Sequence, residues 1–141
     1  MFQLDERLQK DTVMVGRFQL CLLLLHRDGN YPWCILVPQR QGATEIHHLS
    51  ALDQQLLLAE SALLAEALES VFSPDKLNIA MLGNIVAQLH IHHVARFKTD
   101  ASWPGPIWGA APAAEYETAE MEQRLASVRN ALLGKIVIEG G

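Results

Sequence analysis

The chain has 141 residues, a length that suits one domain with one sizeable core, since domains typically run to about 100–150 residues. Half of the residues are apolar and 19% are charged, which excludes a disordered chain, and residues 1–141 are read as a single domain. Eleven Lys and Arg against 16 Asp and Glu leave a net charge of -5, which argues against a nucleic-acid partner held through many phosphates.

Two cysteines, Cys21 and Cys34, form no CxxC pair; they suit a reducing, cytoplasmic compartment and read as packed thiols inside apolar strands. The first residues, Met1 to Asp11, carry charges where a secretory signal needs apolar side chains. The densest apolar run, Leu20 to Leu25, falls far short of the roughly 20 residues that cross a bilayer, so no membrane partner is expected.

Leu4 to Lys10 reads as a short helix capped by Asp5. Val13 to Leu25 is rich in apolar residues, and its tail Leu20–Leu25 suits a strand buried on both faces. His26-Arg-Asp-Gly-Asn30 is turn chemistry, and Trp33-Cys-Ile-Leu-Val37 completes an antiparallel hairpin that ends at Pro38. After a polar loop containing His47 and His48, read as solvated, Ser50 caps a helix running to Phe72. Its core stripe is expected at Leu52, Leu56, Ala59 and Leu63, with Asp53, Glu60, Glu66 and Glu69 in water. Lys76–Met81 reads as a strand, Gly83-Asn84 as a break and Val86–Phe97 as a further strand. Trp103-Pro-Gly-Pro-Ile-Trp108 is a rigid loop whose tryptophans read as packing anchors; Pro112 and Gly134 bracket a last helix, and Lys135–Ile138 suits a short strand. Segregated elements rather than alternating βαβ units predict an α+β fold, with a mainly antiparallel sheet of about five strands, the long helix on one face and the C-terminal helix at an edge.

Three of the six histidines, His90, His92 and His93, fall within four positions. Strand alternation sets Gln88, His90, His92, Val94 and Arg96 on one side and His93 on the other. Two chemistries fit such a pair. His90 and His92 could ligate zinc, but a third ligand is not matched in the sequence, so no metal is expected. Alternatively, one neutral imidazole attacks phosphorus while its neighbour assists the leaving group.

The segment Gly83-Asn-Ile-Val-Ala-Gln88-Leu-His90-Ile-His92-His93-Val94 resembles the triad segment of the histidine triad (HIT) family, and Trp33-Cys-Ile-Leu-Val37-Pro38 resembles that family's strand ending in Leu-Val-Ile-Pro. The resemblance spans roughly residues 10–110 and implies a HIT-like fold. It also implies a hydrolase or nucleotidyl transferase acting, without metal or cofactor, at the α-phosphate of a nucleoside phosphoramidate or dinucleoside polyphosphate-like substrate, through a nucleotidyl-histidine. By this resemblance His90 matches the nucleophile, His92 the residue that contacts phosphate and assists the leaving group, and Gln88 the first triad position, where the backbone carbonyl orients the nucleophile. Asn78, Asn84 and Arg96 match substrate-binding positions, and a homodimer is implied. The sequence departs from the pattern at Gln88, His93, Ile85 (where Ser or Thr is common) and Trp33 (where a supporting histidine is common). A second reading of the same residues is a nucleotide-binding regulatory module with little turnover.

Overall fold

The computed structural model describes residues 1–138. In chain order its elements are α1 (Glu6–Asp11), β1 (Thr12–Arg17), β2 (Cys21–His26), β3 (Trp33–Pro38), a 3-10 turn at Ile46–His48, α2 (Ala51–Phe72), β4 (Lys76–Ala80), β5 (Ile91–Arg96) and α3 (Thr118–Ala131). All five strands form one antiparallel sheet in the order β1-β2-β3-β5-β4, the α+β arrangement expected.

Alternation along the strands sorts the core into two layers. Cys34, Leu36 and Ile91 face α2 and α3 and pack with Leu57, Leu64, Leu68, Val128 and Leu132. Trp33, Ile35, Val37 and Val94 face the other way, packing with Leu8 of α1 and Ile107 of the loop after β5. His92, opposite Ile35 in the register, and His90 two residues before it therefore belong to the face that no long helix covers.

Several boundaries differ from the sequence reading, each for a local reason. Val13–Leu25 divides into β1 and β2 through a turn at residues 18–20, where Phe18 N–H donates to the Cys21 carbonyl. Lys135–Ile138 forms no strand; Val137 makes a single bridge to Arg17. That approach requires Gly16, because a β-carbon there would lie 2.9 Å from both the Val137 carbonyl oxygen and Ile136. Pro112 does not start a helix, and α3 begins at Thr118. Residues 112–116 instead clasp the hairpin turn: Gly29 N–H donates to the Ala114 carbonyl (2.7 Å) and Asn30 Nδ2 to the Pro112 carbonyl (2.9 Å).

The buried stripe of α2 is offset by one residue from the expected one. It runs Asp53, Leu57, Glu60, Leu64, Ala67 and Leu68, while Leu52 is exposed. Asp53 is drawn in by a bidentate pair with Arg40 (2.7 and 3.1 Å), and Glu60 by the backbone N–H groups of Leu20 and Cys21, both at 2.9 Å. A carboxylate that accepts two otherwise unpaired buried amides belongs inside, whatever its charge suggests.

Candidate active site

β5 is shorter than Val86–Phe97. Its ladder with β3 ends at Leu36 opposite Ile91. One step further β3 reaches Val37 and Pro38, and proline has no N–H for the ladder. The segment 81–90 thus leaves the sheet as a loop, turning at Gly83 with φ +80°, and Leu89 N–H donates to the Ala43 carbonyl (3.0 Å) instead. His90 closes this loop and His92 stands on the strand, with ring centroids 4.9 Å apart.

The partners of the two rings fix complementary protonation patterns. His90 Nδ1 lies 2.7 Å from the Gln88 carbonyl oxygen. A carbonyl only accepts, so Nδ1 carries a proton and, in the neutral ring, Nε2 keeps its lone pair. For His92 the direction is reversed: the Trp33 indole N–H donates to Nδ1 at 3.0 Å, so the neutral ring carries its proton on Nε2. Trp33 is held in turn by His26, whose ring stacks on it at 3.6 Å with 1° between the planes, and His26 Nδ1 accepts the Asp28 N–H at 3.0 Å.

Burial, reinforced by the neighbouring histidines, pushes His92 from 6.5 down to about 3, and burial pushes His93 to about 4. His92 is therefore neutral at working pH, a hydrogen-bond donor rather than an acid. His93 points to the opposite face, where Nε2 meets Ser61 Oγ at 2.7 Å and Nδ1 the Ile91 carbonyl at 3.1 Å. Because the unfolded chain binds these protons more tightly, stability is fully present above pH 6.5 and falls as pH drops toward 4 and 3. Urea unfolding is expected to show this loss between about pH 7 and 5, with a slope approaching about 1.4 kcal/mol per pH unit for each ring. A stability that stays flat across that range would contradict the assignment.

The two rings open onto a cleft of about 300 Å³ lined by Arg7, Leu8 and Asp11 of α1, His26, Trp33, Ile35, the loop residues 82–86, and Trp108. Asn84 is thus in the cleft and Ile85, 77% exposed, forms its rim. The walls are largely apolar, which suits a flat heterocycle, and Arg7, Asp11, Asn84 and the histidines supply the polar groups.

Asn78 and Arg96 are not in the cleft. Arg96 is buried and donates to Asn78 Oδ1 (2.7 Å) and, through two nitrogens, to Asp100 (2.8 and 3.1 Å), so its charge is already matched. The Gln88 side chain also lies away from the His90 ring nitrogens: Oε1 accepts the Asp5 N–H and Nε2 donates to the Gln3 carbonyl, both at 2.9 Å. Arg7, Asp11 and the hydrogen-bonding role of Trp33 were not assigned from the sequence; the departure at Trp33 hinted at the last, and His26, read chiefly as turn chemistry that could reach a ribose, does line the cleft. Cys21 and Cys34 are buried, and burial raises both thiols, Cys34 to about 12. Among the described residues no three His, Cys, Asp or Glu side chains cluster to hold a metal ion, and no helix is long and apolar enough to cross a membrane.

The HIT domain family matches residues 7–99. Three solved structures of histidine triad proteins align over nearly the whole chain. That from Marinobacter aquaeolei VT8 is 46% identical, covering 96% of each chain with a TM-score of 0.85. That from Sinorhizobium meliloti 1021 is 42% identical, covering 94% of this chain and 98% of its own with a TM-score of 0.91. That from Bradyrhizobium japonicum is 39% identical, covering 96% and 98% with a TM-score of 0.91. No curated protein sequence matches significantly. With the sheet, the histidine pair and these matches in agreement, the chain belongs to the HIT domain family, whose members generally bind nucleotides and include hydrolases and transferases.

Proposed function

We propose that this protein is a nucleotide hydrolase or nucleotidyl transferase that attacks the α-phosphorus of a nucleoside phosphoramidate or dinucleoside polyphosphate-like substrate. The observation that carries the reading is the opposite polarity of the two rings: a bare Nε2 on His90 beside an Nε2–H on His92. The His90 lone pair forms the nitrogen–phosphorus bond as the substrate's bond to its leaving group breaks. The departing group keeps the electron pair and takes a proton from solvent. The Gln88 carbonyl, already 2.7 Å from Nδ1, stabilises the positive charge that grows on the ring. His92 donates its Nε2–H to a phosphoryl oxygen. Water or another acceptor then displaces His90 and releases a proton, restoring the free ring.

Incubation with adenosine phosphoramidate and with a dinucleoside polyphosphate, each with and without chelator, tests this reading. Chelator-resistant turnover of at least one is expected. Tight AMP binding with no turnover would favour the regulatory module, and loss of turnover on chelation would favour a metal route.

Trp33→Phe keeps the aromatic wall but removes the donor to His92. With the tautomer released, kcat is expected to fall about tenfold, the effect of one hydrogen bond, with little change in KM. The ring nitrogens of His92, followed by NMR, should show mixed tautomers. An unchanged kcat would contradict the role given to Trp33.

The homodimer implied by the family resemblance remains part of this proposal. β4 is an edge strand, and Ile79, Met81 and Leu58 are exposed beside it, around a groove of about 550 Å³ between α2 and that edge. An uncovered apolar edge suits a second copy; sedimentation at micromolar concentration should read a dimer, and a monomer would refute it.

A further inference from the structure

The Gln88 side chain fixes the start of the chain against the cleft. Its amide is a two-point clamp: one end accepts the Asp5 N–H and the other donates to the Gln3 carbonyl, both at 2.9 Å. Gln41 Oε1 accepts the Gln3 N–H at 3.1 Å, Asp5 caps α1 by accepting the Arg7 N–H at 2.8 Å, and Leu8 is buried in the second apolar layer. Gln3 and Asp5 are thus tied through Gln88 to the loop that carries His90, Gln3 is tied through Gln41 to the loop after β3, and Leu8 anchors α1 in the core. The face of α1 so presented brings Arg7 and Asp11 into the cleft wall.

Arg7 is the one cationic side chain lining that cleft among the described residues. Among the described residues its guanidinium pairs with Asp11, at 4.0 Å, and the two side chains are 61% and 42% exposed. Such a pair is weak and readily exchanged for a better acceptor. A guanidinium presents paired N–H donors that match two phosphoryl oxygens. Resting on the nucleotide reading above, we propose that Arg7 binds the anionic group of the substrate and that Gln88, through the clamp on residues 3–5, is the positioning residue that keeps it in the cleft. The first triad position is in this chain a structural link between the site and α1.

Binding of AMP and of adenosine to the parent and to Arg7→Ala, Arg7→Lys, Asp11→Asn and Gln88→Ala tests the proposal, together with hydrogen exchange at the Asp5 amide. The parent should prefer AMP. Arg7→Ala should lose about tenfold or more in AMP affinity with adenosine binding unchanged, Arg7→Lys should recover part of the loss, and Asp11→Asn should bind AMP more tightly than the parent. Gln88→Ala should weaken AMP binding and speed exchange at Asp5. A parent that prefers AMP and an Arg7→Ala variant that retains the whole preference would overturn the Arg7 assignment alone. Unchanged Asp5 exchange in Gln88→Ala would overturn the clamp, and a parent that binds neither ligand would overturn the functional reading together with this one.

Discussion

Replacing His90 by Asn is expected to lower turnover by about 10⁴-fold or more, since it deletes the proposed covalent nucleophile, while AMP affinity changes little. Asn can still offer an N–H near the Gln88 carbonyl, and the apolar cleft walls of Trp33, Ile35 and Trp108 do not depend on the ring. His92 is no substitute, because its Nδ1 is occupied by the Trp33 indole and its Nε2 carries the proton. Steady-state turnover and AMP titration on the same preparation check the split. A variant that keeps a tenth of parental activity, or that loses AMP binding in parallel, would contradict the assignment.

Asp100→Ala is expected to destabilise the fold by about 3–5 kcal/mol, the usual effect of leaving a buried charge without its partner. The Arg96 and Asp100 side chains are 1% and 4% exposed, and the guanidinium lies 5.7 Å from the Tyr31 ring centre and 5.6 Å from that of Trp103. Asp100 also accepts the N–H groups of Phe97, Ser102 and Trp103, at 3.0, 3.1 and 2.8 Å. Burial alone would raise this carboxyl, but the Arg96 and backbone hydrogen bonds outweigh it and hold the pKa at about 2. Removing the carboxylate strands Arg96 and frees three amides of the loop that leads to Trp108 in the cleft wall. Urea unfolding near neutral pH measures the loss; a difference under about 1 kcal/mol would show that the pair is replaceable.

This network explains why part of the site was not legible in the sequence. His90 and His92 could be paired because an extended chain puts i and i+2 on one side, and that survives even though His90 lies just outside β5. Arg96 satisfies the same alternation, yet its charge is consumed by Asp100 and Asn78, contacts that depend on how the loop after β5 folds back. Asp53 and Glu60 were read as wet for a related reason. Their partners, Arg40 and the amides at residues 20 and 21, lie far away in sequence, so charge was the only local signal. The late start of the strand, at residue 91 instead of 86, traces to Pro38 on a neighbouring strand, again a tertiary cause. Arg7 gave no signal at all, since an exposed arginine on a short helix acquires meaning only once Gln88 fixes where that helix lies.

The covalent bond proposed between His90 and phosphorus is tested directly by the stereochemistry of the reaction. A substrate made chiral at the α-phosphorus by one sulfur atom is hydrolysed in isotopically labelled water, and the configuration of the nucleoside phosphorothioate product is read by phosphorus NMR. Attack by His90 followed by attack of water is two in-line displacements and predicts overall retention. Inversion would mean that water attacks the substrate in a single step, and the covalent role of His90 would be wrong.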